Sequence, residues 1–184
     1  MVISYGKMRQ LVARSVPYTY GNCCKHMTFD ARQFRDALGC FATGVSVVTS
    51  YNQQKEPMGV TVNSFSSVSL DPPLILFSLA HTGNHCQEFK VSGKFAVNVL
   101  STHQKDLCDR FASPKEDRFK GVEYELGENE CPVFEESLSV LECEIFALQE
   151  AGDHLVFICR VTNVHAKTDE KPLLFYKGGF PTLS

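Results

Sequence analysis

LSVLECEIFALQ (Leu138–Gln149), EAGD (Glu150–Asp153) and HLVFICRVTNVH (His154–His165) form the stretch that decides the architecture. Two long runs rich in Val, Ile, Leu and Phe are joined by a tight Gly-Asp turn, and so short a link joins antiparallel neighbours only. The same grammar extends upstream. Val45–Thr49 is β-branched, Asn52–Glu56 is a polar turn, and Met58–Val62 is the return strand of a hairpin. Leu70-Asp71-Pro72-Pro73 breaks the chain before a buried strand, Leu74–Leu79. Phe95–Leu100 and Leu173–Tyr176 complete seven strand candidates. A helix capped by Thr28 or Asp30 places Phe29, Phe34, Ala37 and Leu38 on one face, with Gly39 as its stop. Thr82-Gly83-Asn84 opens a short helix over His85–Lys90, and His103–Phe111 carries Leu107, Cys108 and Phe111 at helical spacing. Residues 112–135 read as irregular, with Pro114, Gly121, Gly127 and Pro132. The strands do not alternate with helices as βαβ units, so the expected fold is mainly β with a few helices, an antiparallel sheet closed into a barrel to remove its exposed edges.

The totals bound the function. A chain of 184 residues holds one domain with a substantial core, expected over residues 28–180, behind an arm over residues 1–27 that lacks periodicity. The net charge of −3 argues against a protein that tracks nucleic-acid phosphates. Eight cysteines at 23, 24, 40, 86, 108, 131, 143 and 159 contain no C-x-x-C, so neither a structural metal site nor a disulfide framework is expected, and the thiols are read as free in a reducing cytoplasm. No run reaches the roughly 18 to 20 apolar residues of a membrane span. Met1–Arg14 has no central apolar block and makes a poor secretory signal.

The chemistry-bearing stretches are few. There is no G-x-G-x-x-G and no phosphate-binding P-loop, which argues against a Rossmann site. Gly59–Ser69 carries Thr61 and Asn63 on one side of a strand end, followed by a run of serines at 64, 66, 67 and 69. Hydroxyls and loop amides of this kind bind a phosphate without positive charge. A serine-rich loop bonded to itself explains the same composition. Gly152-Asp153-His154 places a histidine beside a tight turn that holds it, where it could address a carboxamide; an Asp satisfying turn amides beside an exposed His is the plainer reading.

Thr43–Thr49, Gly59–Ser69, Leu70–Pro73, Phe95–Leu100 and Gly152–His154, in that order, resemble the flavin reductase-like family with the FMN-binding split barrel. That family includes reductase components of two-component flavin monooxygenases. The resemblance runs from about residue 29 to residue 180 and implies a Greek-key split β-barrel, a homodimer, FMN or FAD in a groove, NADH or NADPH as hydride donor, and a monooxygenase that receives reduced flavin. It implies that Thr43, Val45, Thr61, Asn63 and Ser64 line the ring and ribityl region, that Ser67, Ser78 and the turn from Thr82 to His85 lie toward the phosphate, and that Phe111, Arg118 and Phe119 complete the groove. Gly152, Asp153 and His154 correspond to the nicotinamide side, with His154 orienting the carboxamide and Asp153 bracing the turn or the imidazole. The family often has Gly five residues after that histidine, where this chain has Cys159. An FMN oxidase of the pyridoxine phosphate oxidase type, or a flavin- or haem-binding module without turnover, would share the barrel.

Overall fold

The computed structural model describes residues 28–83, 85–114, 117–167 and 169–183. The expected arm over residues 1–27 lies outside them. Two compact units are distinguished, Met1–Arg35 and Asp36–Ser184. Helix α1 (Ala31–Leu38) begins in the first. Asp30 Oδ1 accepts the amides of Arg32 and Gln33, each at 2.8 Å, while Gln33 Oε1 accepts the Asp30 amide at 2.8 Å. This reciprocal cap satisfies donors that the first turn cannot use. The face expected from Phe29, Phe34, Ala37 and Leu38 is uncovered: no residue of α1 is buried.

The second unit is built on β1 (Thr43–Gly44), β2 (Ser46–Tyr51), β3 (Pro57–Val62), β4 (Ser66–Leu70), β5 (Pro73–Ala80), β6 (Lys94–Val99), β7 (Glu125–Leu126), β8 (Pro132–Val133), β9 (Ser139–Ala151), β10 (His154–Ala166) and β11 (Leu174–Phe175). Helices α2 (Cys86–Ser92) and α3 (Lys105–Ala112) flank β6, α3 entered through a 3-10 turn at Thr102–Gln104. The main sheet has the order β3-β2-β6-β9-β10-β5-β4, antiparallel throughout. All seven expected strands are present. The additions are three two-residue strands, β1, β7 and β8, and β4, whose residues had read as a serine-rich loop.

The order of strands dictates the shape of this unit. β3 and β4 sit at opposite ends of the ladder yet are joined only by Asn63, Ser64 and Phe65. Seven strands laid flat would separate their outer members by roughly 29 Å, whereas such a link reaches about 14 Å at full extension. The sheet therefore curls until its two ends approach, leaving one seam without ladder bonds. A side chain bridges that seam. Ser64 Oγ accepts the Ser78 amide at 3.0 Å and lies 3.2 Å from the Ser78 carbonyl oxygen, to which it can donate.

Inside the barrel, Phe77 and Phe157 stack at 4.9 Å, and Phe95 meets Phe77 edge-on at 5.5 Å. Val48, Met58, Ile75 and Val97 pack around them. The other face of β2 is buried as well: Val45, Val47, Leu100, Cys108, Phe111 and Phe134 form a second cluster, roofed by α3 and by the irregular segment before β9. Polar groups buried between the two clusters are paired, as the interior demands. Asn98 Nδ2 donates to the Val47 carbonyl and to Thr49 Oγ1, each at 3.1 Å, and Asn98 Oδ1 accepts the Phe134 amide at 3.0 Å. Cys40, Cys86, Cys108, Cys131, Cys143 and Cys159 are all free thiols.

Candidate active site

The open seam supplies a cleft of about 320 Å3 at the end of β3. Val60–Val62, Asn63 and Ser64 form one wall, and Ser78–Ala80 of β5 form another. Gly83, His85 and Cys86 close it from the start of α2, Arg118 from the segment after α3, and His154 from the first position of β10. A larger cleft of about 670 Å3 lies between α3 and residues 121–136. Asp106, Glu123, Glu125, Glu135 and Glu136 on its walls would repel a phosphate, so the smaller, cationic cleft is the better cofactor site.

Each polar side chain of the smaller cleft is aimed by a local cause. Arg118 Nη1 donates to the Gly59 carbonyl at 2.8 Å, capping the open edge of β3. Its Nε is buried without an acceptor among the described residues, and burial lowers the guanidinium pKa. A buried donor of this kind calls for an anionic or carbonyl oxygen. Thr61 Oγ1 donates to the Cys108 carbonyl at 2.7 Å, tying β3 to α3 and leaving its lone pairs as acceptors. Asn63 is exposed, and its carboxamide has no hydrogen bond among the described residues. His85 Nδ1 meets Glu88 Oε2 at 2.5 Å within the first turn of α2.

His154 is held by the turn that precedes it. Gly152 at φ +64° with Asp153 after it gives the backbone pattern of a type II′ hairpin turn, which matches the strand twist. Asp153 Oδ1 lies 2.7 Å from His154 Nδ1. That bond draws the Asp153 carboxyl below its ordinary 3.8. With a carboxylate at Nδ1, the proton sits on that nitrogen and Nε2 is left as the ring's uncommitted acceptor.

Thr61, Asn63, Ser64, Ser78, His85, Arg118 and His154 of the expected set thus meet in one cleft. Others stand apart from its lining. Val45 is 2% exposed, with its carbonyl bonded to Leu100 and its amide to Leu173, so it packs the second core. Phe111 is buried there too, and Phe119 meets it edge-on at 4.9 Å; both shape the support behind Arg118. Ser67 lies on exposed β4, paired with Ile75. Thr43 lies on β1 with a buried hydroxyl that has no partner among the described residues. Thr82 is exposed in the turn after β5, and Gly152 and Asp153 support His154 from behind. Cys159, in place of the family glycine, is wholly buried in the barrel core and narrows nothing in the cleft. Gly83 lies in the turn that the Thr82–His85 stretch had marked; sequence reasoning missed Cys86 beside it and Val60, Val62, Leu79 and Ala80 on the two strand walls. Among the described residues no group of three or more His, Cys, Asp or Glu is placed to hold a metal, and no helix is long and apolar enough to cross a membrane.

A family model described as the flavin reductase like domain matches residues 38–184, which include every wall of this cleft. The chain belongs to the flavin reductase like family. Among its relatives, a probable flavin reductase of Rhizobium meliloti (strain 1021) is 49% identical over 73% of this chain and 43% of its own length. The chain thus spans less than half of that relative. The reductase subunit HsaB of a flavin-dependent monooxygenase from Mycobacterium tuberculosis (strain ATCC 25618 / H37Rv) is 37% identical over 82% of this chain and 81% of the relative. Among solved structures, an NADH:FAD oxidoreductase of Streptomyces globisporus in complex with NAD and FAD fragments superposes with a TM-score of 0.80 at 36% identity, over 84% of this chain and 93% of that one. The split barrel of this flavin reductase-like chain is therefore shared with relatives whose named activity is flavin reduction.

Proposed function

We propose that this chain binds FMN or FAD in the seam cleft, reduces it with NADH or NADPH, and passes the reduced flavin to a monooxygenase. The observation that carries the reading is the pairing, in one cleft, of a wall bearing the polar residues Asn63, Ser64, Ser78 and Arg118 with an imidazole whose Nε2 is left uncommitted (His154). Bound there, a flavin supplies the redox chemistry, accepting hydride from the nicotinamide. The residues do the rest by placement. The buried Nε of Arg118 favours negative charge on a ligand. Asn63 addresses a polar ring edge or ribityl hydroxyl. His154 Nε2 accepts from a nicotinamide carboxamide, and Asp153 holds the tautomer that makes it an acceptor. No side-chain nucleophile takes part. We also read the protein as a cytoplasmic homodimer: Val68, Leu70, Phe146 and Val164, on β4, β9 and β10, are 47%, 96%, 47% and 59% exposed, and a second copy would cover them.

The test is an absorbance assay of NADH and NADPH oxidation with FMN and with FAD, alongside a flavin titration. Asn63→Ala is expected to weaken flavin binding about threefold to tenfold, the range of one lost hydrogen bond. His154→Ala is expected to raise KM for the reduced nicotinamide by a similar factor while flavin affinity holds. Absence of turnover by the unmodified protein with every pair would end the proposal.

A further inference from the structure

The tip of the β9–β10 hairpin is exposed from Glu150 to Asp153, and pairing of β10 with β5 ends at His154 and Ala80. This exposed tip carries the imidazole of the site. His81, one residue beyond β5, grips it twice. The His81 amide donates to the Asp153 carbonyl at 3.0 Å, and His81 Nε2 lies 3.0 Å from Glu150 Oε2. Its main chain thus fastens the last residue of the turn, and its ring holds Glu150 near the end of β9. Asp153 passes that restraint to His154 Nδ1 at 2.7 Å. His81 itself is absent from the cleft lining.

We propose that His81 is a positioning residue: through Glu150 it sets the height of the hairpin tip over the cleft and so fixes His154 for the nicotinamide. The inference rests on the proposed role of His154. The geometry gives it leverage, because a group displaced by about 1 Å loses much of its effect on a reacting pair. The pair is too exposed to add much global stability, its side chains being 35% and 66% accessible. Its effect is therefore local, on where His154 stands.

The experiment compares the unmodified protein with His81→Ala, His81→Gln and His154→Ala. Each is measured for KM and kcat with NADH and NADPH at saturating flavin, for flavin affinity, for thermal midpoint, and for the affinity of the flavin-loaded protein for NAD+, which binds without reducing. His81→Ala is expected to raise KM and the NAD+ dissociation constant about threefold to tenfold, with flavin affinity and thermal midpoint unchanged. His81→Gln, whose amide still donates to Glu150, is expected to recover most of the loss. Unchanged nicotinamide binding in His81→Ala beside a raised value in His154→Ala overturns this inference alone. So does a loss in His81→Ala that tracks a fall in flavin affinity or thermal midpoint. A His154→Ala variant that binds nicotinamide normally overturns the reading of the site and this inference with it.

Discussion

At the scale of single residues, the pair of Asp153 and His154 is defined by the nitrogen it leaves free. The Asp153 carboxyl titrates below its ordinary 3.8 because the ring of His154 bonds to it. A depressed carboxyl contributes stability above its unfolded pKa and gives it up as pH falls through the folded value. NMR titration of Asp153 should show the lowered midpoint, and His154→Ala should return it upward; an unmoved midpoint would mean that the bond is absent in solution. Legibility in the sequence divides at this scale by whether a cause is local. Gly152, Asp153 and His154 are adjacent, so their arrangement could be read from the turn they form. Arg118 could be named only through a family likeness, because its partner, the Gly59 carbonyl, is remote in the chain. Val45 and Phe111 entered the expected set through the family likeness, but Val45, between β1 and β2, and Phe111, on the buried face of α3, pack in the second core.

Secondary-structure elements were readable where burial forces composition. The hairpins β2–β3 and β9–β10 bury a face, so they needed Val, Ile and Phe and a polar turn between. β4 is an exposed end strand that can be built from serine, and a register irregularity between Ser67 and Ser69 further blurs its alternation. Its pairing with β5 is a tertiary fact that local propensity did not carry. Packing between elements gives a sharper test. A Cβ added to Gly59 would lie 2.6 Å from Phe111 Cε1. Phe111 is held by Phe119 and Phe134 at 4.9 and 5.5 Å and has little room to retreat. Gly59→Ala should therefore cost about 1–3 kcal/mol in a denaturant melt and weaken flavin binding by moving the carbonyl that Arg118 holds. Gly44→Ala, with no atom within 4 Å of the new carbon, should be close to neutral and serves as the control.

At the scale of the whole molecule, burial sorts the six cysteines among the described residues into two chemical classes. Desolvation pushes the Cys131 thiol to about 11 and Cys143 to about 12, and Cys159 higher still, while Cys40 is exposed. The thiolate is the reactive form, so a maleimide at neutral pH should label Cys40 and spare Cys86, Cys108, Cys131, Cys143 and Cys159 until the chain unfolds. Peptide mapping by mass spectrometry reads each site separately; rapid labelling of Cys143 in the native protein would contradict the packed barrel. Closure of the sheet was expected from the need to remove exposed edges and from the family likeness; the strand order that makes the curl necessary is revealed by no periodicity, since the same seven strands in sequence order would need no such closure.

The gap between the ends of that sheet sets the terms on which a guest departs. No rung of the ladder crosses it, so a molecule lodged there can leave without any strand being peeled from its neighbour. The energetic toll of its exit is confined to its own handful of contacts. A carrier that must surrender its load intact gains more from such an unsewn edge than from a sealed chamber.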